Sequence, residues 1–233
     1  MKQNGTMLKI EQTLYPKEEA KHQIDERHQD NIFQTPLRVN AFDLTDEEKI
    51  DSISEYFKKI MCTLGLNLDD DSLKGTPRRV AKMFVTEIFS GLNPKNKPVI
   101  SLFDNKYKYN QMLVEKNITI YSNCEHHFVP IIGKAHIAYI SSGKVIGLSK
   151  INRIVQYYAQ RPQVQERLTM QIANELKSVL QTENVAVLID ASHLCVSSRG
   201  IKDTESNTIT TEYCGVFLET ERRDEFLKYL NLK

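Results

Sequence analysis

Two short runs of ligand-type residues stand far apart in the chain: Cys124-Glu125-His126-His127 and His193-Leu194-Cys195. A thiolate and an imidazole in one turn can reach a single tetrahedral ion, with Zn–S near ~2.3 Å and Zn–N near ~2.0 Å. His193 and Cys195 are an i, i+2 pair, which on a strand sends both side chains out of one face. Cys124, His127, His193 and Cys195 are thus four candidate ligands, and soft thiolates select zinc over magnesium or calcium. Two arrangements fit. With all four bound the site is closed and structural. With three bound a position is left for water, which zinc acidifies to a pKa of roughly 7. The chain has ample core without a metal staple, and His126 would be idle beside a closed site but useful as a proton carrier beside an open one. Spacing alone leaves both arrangements standing.

Basic residues near element starts form a second group: Arg78 and Arg79 after Thr76-Pro77, Lys150 and Arg153 after Ser149, and Arg199 past the second ligand run. Backbone N–H groups at helix starts favour anions, and arginine forks suit phosphate. Taken singly, each is as well explained as a solvated helix face. Gln165-Glu166 is a possible base reader, since a carboxylate accepts two hydrogen bonds from adjacent N–H groups, although such a pair is common on helix surfaces. His136 reads as a sheet-face residue, and Cys62 and Cys214 as small core residues. His22 and His28 fall in a polar extension and are assigned nothing.

The elements that must position these groups follow from periodicity. Thr45 and Glu48 make a capping box ahead of an apolar stripe (Ile50, Ile53, Phe57, Ile60, Met61, Leu64). Thr76-Pro77 opens a second helix that Gly91 closes. Strands are expected at 113–121 and 131–140, helices after Ser149 and Pro162, strand regions at 185–190, 192–198 and 208–219, and a short helix at 224–230. Two strands, two helices and two strands suggest an α+β domain, an antiparallel sheet with both helices on one face, preceded by N-terminal helices. Its open edges invite pairing with other subunits. The expected division is a polar extension over 1–44 and a domain over 45–233, helical at 45–92 with its sheet core at 113–233.

Composition sets the outer limits. The chain has 233 residues, 40% hydrophobic and 26% charged, enough to bury a core. A formal net charge of +1, with no basic stripe interleaved with aromatics, argues against nucleic acid. No apolar run is long enough to cross a bilayer and residues 1–12 lack a secretory core, so the expected compartment is the cytoplasm, where the four cysteines stay reduced.

Taken in series, several motifs resemble the GTP cyclohydrolase I family: Thr76-Pro77-Arg78-Arg79-Val80, Cys124-Glu125-His126-His127-Phe128-Val129-Pro130, Gly147-Leu148-Ser149-Lys150, the run from Arg161 to Thr169, His193-Leu194-Cys195 and Gly215-Val216-Phe217. The likeness runs from about residue 45 to the C-terminus. It implies a tunnelling fold, a homodecamer with active sites at subunit interfaces, and hydrolytic opening of the guanine imidazole ring of GTP. Formate would leave and 7,8-dihydroneopterin triphosphate form, opening tetrahydrofolate or pterin synthesis. It implies zinc on Cys124, His127 and Cys195, with His193 protonating N7 and His126 assisting. Gln165 and Glu166 would read guanine, Ser149 would contact the sugar or phosphate end, and Lys150, Arg153, Arg199 and a neighbouring subunit's Arg79 would hold the triphosphate. Ser197 departs from the pattern, since some relatives carry lysine there. Two rival readings are a zinc-stabilised module that binds without turnover and a related tunnelling-fold enzyme acting on a pterin or deazapurine.

Overall fold

The computed structural model describes residues 34–232, which fall into two compact units. As far as residue 33, the polar extension with His22 and His28 lies outside the described residues.

The first unit spans residues 36–90. Helix α1 (Asp46–Thr63) begins at the expected capping box: Glu48 N donates to Thr45 Oγ1 at 3.3 Å, and Thr45 N donates to the Glu48 carboxylate at 2.8 Å. Two otherwise unpaired donors are satisfied at once, and Asp46, Glu47 and Glu48 complement the positive end of the helix dipole. Ile50 and Met61 are buried, but Cys62, about 100° round the helix from Met61, is exposed. Cys62 is therefore not the core residue expected. Helix α2 (Thr76–Met83) has Pro77 in its first turn, with Gly75 rather than Thr76 at the cap, and runs on into a π-helical turn at Phe84–Ile88. Arg78 is engaged by Asp51 and Glu47 of α1.

The second unit holds residues 91–232 together with 34 and 35. Strands β1 (Leu102–Asp104) and β4 (Lys144–Ile146) form a small antiparallel ribbon that periodicity did not reveal. The main sheet runs in the order β5-β2-β3-β6-β7. Strands β2 (Leu113–Cys124), β3 (Pro130–Tyr139), β6 (Val185–His193) and β7 (Thr208–Tyr213) are antiparallel neighbours, and the two-residue β5 (Pro162–Gln163) lies parallel on the outer edge of β2. Helices α3 (Leu148–Ala159) and α4 (Gln165–Leu180) share one core with the sheet. Alternate strand residues (Ile118 and Ile120, Ala135 and Ile137, Val187 and Ile189) meet Ile151, Ile154, Leu168 and Ile172 there. Fully burying each of the large aliphatic side chains contributes about 1.5–3 kcal/mol. This is the expected α+β arrangement. The opposite face is partly covered by α6 (Thr220–Leu230), whose Phe226 joins Phe217, Ala138, Ala186 and Leu188.

Two strand expectations need correction. The chain leaves the sheet at His193, and Leu194–Ser197 form a single helical turn, α5. The face argument for His193 and Cys195 therefore fails, because Cys195 is not on a strand. After Tyr213, Gly215–Leu218 are a 3-10 turn rather than more strand. Among the described residues no helix is long and apolar enough to cross a membrane.

A bulge in β2 between Glu115 and Ile118 puts Asn117 at φ 62°. Lys116 there donates to the carbonyls of Tyr229 and Leu232 at the C-terminal end of α6, where a cation is favoured. Asn117 N donates to His136 Nδ1 at 3.4 Å. Burial pushes the His136 pKa down; the Asp190 charge opposes this, and Lys116 and Lys134 reinforce it. A histidine held neutral in the folded state stabilises above its unfolded pKa of about 6.5 and loses that contribution as pH falls through the lowered folded value. Urea unfolding of the wild type should therefore weaken from pH 8 to pH 5.5 more than that of His136→Gln, which keeps an acceptor without a titration. Equal losses in both proteins would remove His136 from the pH response.

Candidate functional site

The register brings the site together at one end of the sheet. Asn123 lies opposite Pro130, and Ile131 opposite His193, so the end of β2, the start of β3 and the end of β6 are neighbours. Cys124 closes β2 and is 4% exposed. The loop to β3 is pinned by Cys124 N donating to Val129 O (2.9 Å) and Phe128 N donating to Cys124 O (2.8 Å), with Phe128 reversing the chain at φ 53°. The α5 turn then carries Cys195 back toward that loop.

Cys124 Sγ, His127 and Cys195 Sγ form the one group of potential metal donors found among the described residues, their ligand atoms all within 4.8 Å of one another. Cys124 Sγ stands 3.9 Å from His127 Nδ1. Donors on one tetrahedral ion with zinc's bond lengths stand roughly 3.5–3.8 Å apart, so a contraction of about 1 Å at most would seat it. Burial, and then the neighbouring Cys124 thiol, push the Cys195 thiol pKa up, with Arg199 opposing. Two adjacent thiols ionise together only beside a cation, which is what a divalent metal supplies. The donor set therefore fits a metal with room for a fourth ligand.

His193 is not in that group. Its Nε2 lies 2.8 Å from Gln165 Oε1, and burial lowers its pKa against the opposing charge of Glu166. His126 is exposed in the loop, its Nδ1 3.6 Å from Cys124 Sγ. Arg199 Nη1 stands 3.0 Å from His127 Nε2, so one phosphate candidate touches the metal group itself. Glu166 is exposed in the first turn of α4. Gln165, expected beside it as a base reader, is instead buried at 1% exposure, with its amide committed inside the protein.

Ser149 and Lys150 lie at the start of α3, the end away from the metal group of their own chain. Helix α3 starts just after β4 and ends where Ser122 Oγ donates to Ala159 O (2.7 Å), two residues before Cys124. At 1.5 Å per residue, Ser149 is about 15 Å back along the helix from that end. Lys150 donates to Val99 O at 2.9 Å, and Arg153 is exposed. Lys150 N donates to Gly147 O at 2.8 Å, and Gly147 offers no side-chain cap to the N–H groups of Leu148 and Ser149, where an anion is favoured. Arg79 belongs to the first unit, where it donates to Ser72 O and Thr76 Oγ1, both at 2.8 Å. Ser197 is half-buried in α5, its hydroxyl directed to His193 O at 3.4 Å.

Two residues that sequence reasoning passed over tie the site together. Arg167, one step beyond Glu166, forms an ion pair with Glu125, between Cys124 and His126. Arg167 also donates to Gln163 Oε1 and Pro162 O, both at 3.2 Å, while Glu125 N donates to Gln163 O at 3.0 Å. The ligand loop is thus fixed to the start of α4. Only the opposite charges were legible in sequence, and their separation of 42 positions gave no reason to pair them. Arg167→Met should weaken metal affinity about 10–100-fold, the range that outer-shell changes produce, measured by competition with a chelator. Wild-type affinity in that variant would show the loop needs no such tie.

The family model described as GTP cyclohydrolase I matches residues 53–231. A protein of Flavobacterium johnsoniae named GTP cyclohydrolase 1 is 63% identical over 210 residues, covering 90% of this chain and 94% of that relative. Proteins of the same name from Yersinia enterocolitica and Citrobacter koseri are 54% and 53% identical over 196 residues, each covering 84% of this chain and 88% of the relative. Matched over most of its length by the model and by these relatives, the chain that gathers Cys124, His127 and Cys195 at one end of its sheet belongs to the GTP cyclohydrolase I family.

Proposed function

We propose that this chain carries out the reaction for which its family is named, hydrolytic opening of the guanine imidazole ring of GTP. Formate is released and 7,8-dihydroneopterin triphosphate is formed, the first step of tetrahydrofolate or pterin synthesis. The observation that carries this reading is a three-donor metal group with an imidazole, that of His193, held outside it at the same sheet end. Cys124, His127 and Cys195 would hold zinc, chosen over harder ions by its two thiolates. When bound, zinc supplies Lewis acidity that makes water nucleophilic near neutral pH.

The chain's own residues do the rest. The exposed Glu166 carboxylate accepts hydrogen bonds from two adjacent N–H groups of guanine and fixes the purine edge. His193 delivers a proton to N7, which makes C8 a better electrophile. His126, exposed in the loop, assists proton transfer around the water and the ribose. Ring opening and a second hydrolysis release formate, and the rearranged ribose then closes onto the exposed amine. Arg199, with Ser149, Lys150 and Arg153, and with Arg79 of a neighbouring subunit, holds the sugar and triphosphate.

The distance along α3 between Ser149 and the metal end of the sheet supports an assembly in which these residues serve a neighbouring subunit's site. A homodecamer with active sites at subunit interfaces, built on a tunnelling fold, meets that requirement. The test is incubation of zinc-analysed protein with GTP, following formate and, after oxidation, pterin fluorescence. Both products, abolished by chelation, are expected. Stoichiometric zinc and intact assembly without either product would make the chain a binding module or direct it to another heterocycle.

A further inference from the structure

We propose that Gln165 is a positioning residue that sets the ring orientation and tautomer of His193, and that its side-chain amide does not read guanine. The inference rests on the proposed reaction for its kinetic consequence, though not for its structural content. Gln165 is 1% exposed. Its Nε2 lies 3.1 Å from Ile189 O, 2.8 Å from Thr208 O and 3.1 Å from Thr210 Oγ1. Two of these acceptors are backbone carbonyls, which cannot donate, so the amide cannot be flipped without setting oxygen against oxygen. The Oε1 atom must therefore be the one facing His193, at 2.8 Å. A carbonyl oxygen only accepts, so His193 must carry its proton on Nε2. The frame is braced further: Thr169 Oγ1 donates to Gln165 O at 2.8 Å and lies 2.7 Å from Thr210 Oγ1.

This arrangement leaves no amide hydrogen for a base, since two hydrogens already face three acceptors. It also decides which nitrogen of His193 can serve the substrate. Nδ1 takes up a second proton from solvent and passes it to the N7 lone pair, and the ring returns to the neutral Nε2–H tautomer, still bonded to Gln165. No side chain has to turn during the transfer, which is the advantage of a preorganised donor. Base recognition falls to Glu166, the exposed neighbour.

The experiment joins kinetics to a tautomer measurement on the zinc-loaded enzyme. In magic-angle-spinning 15N spectra of histidine-labelled protein, with His193 assigned by difference from His193→Asn, wild-type Nε2 should be the protonated nitrogen. In Gln165→Met the two tautomers should mix. The same variant should lose about 10–100-fold in kcat, the range for residues that orient a functional group, with KM for GTP within about twofold and zinc content unchanged. A wild-type His193 protonated at Nδ1 alone would overturn the proposal, as would a variant that keeps kcat while KM rises tenfold. Should Gln165→Met fail to assemble, the wild-type spectrum decides by itself. Wild-type enzyme that makes no formate from GTP would sink the proposed reaction, and the spectrum would still test Gln165.

Discussion

Replacing Cys195 by alanine is expected to strip the metal from the protein and to end formate production, while Cys214→Ala leaves both intact. Both are free cysteines in the second unit, and Cys214 is the more buried of the two, so a general loss of cysteine or of packing would not separate them. Position separates them. Cys195 is one of three donors gathered within 4.8 Å, whereas Cys214 follows β7 next to Glu212. With one donor of three removed, affinity should fall by more than the ~10–100-fold that outer-shell changes alone produce. Without the ion, the attacking water loses the acidity that zinc would supply, so the rate should drop by several orders of magnitude. Zinc content by atomic absorption and formate release decide it together. A Cys195→Ala protein that kept stoichiometric zinc would place the ion on another ligand set.

The parts of the fold legible in sequence are those governed by local pattern. Thr45 and Glu48 cap each other as their spacing announces, and the helix expected after Pro162 is α4, with Leu168, Ile172 and Leu176 on its buried face. The ligand pair Cys124 and His127 was legible because a thiolate and an imidazole in one turn have few other reasons to be adjacent. What failed was decided by bonds and packing that the apolar pattern does not display. Leu194, Cys195 and Val196 are residues that suit strands, yet the chain turns there. Ser197 and Ser198 direct their hydroxyls back to His193 O and Leu194 O, at 3.4 Å and 2.6 Å, a local bonding that favours a helical turn over a ladder. That turn separates His193 from Cys195, and so four candidate ligands became three and a neighbour.

Gln165 shows the same limit from another side. At the start of α4 it looked equivalent to Glu166, one exposed polar residue beside another. Packing of α4 across β6 and β7 buries the first and leaves the second in solvent. One step along a helix is a rotation of about 100°, which is enough to move a side chain from solvent into the sheet. The exposed Cys62, one step from the buried Met61, is the same error with the opposite sign.

His193→Ala should keep its zinc and its oligomeric state while losing ring opening by about 10²–10⁴-fold, the usual contribution of a positioned general acid. The metal should stay because His193 bonds to Gln165 and stands outside the three-donor group. The lost imidazole leaves Gln165 Oε1 without its partner, which costs about 1–3 kcal/mol if the oxygen stays buried and dry. A modest fall in unfolding midpoint should therefore accompany the kinetic loss, and His193→Gln, which can donate to that oxygen, should recover the stability without recovering the rate. Such a split would assign the imidazole to chemistry and the hydrogen bond to structure. If His193→Ala instead lost zinc along with activity, His193 would be a fourth ligand in solution, the site would be closed, and the acid that protonates N7 would have to be sought at His126.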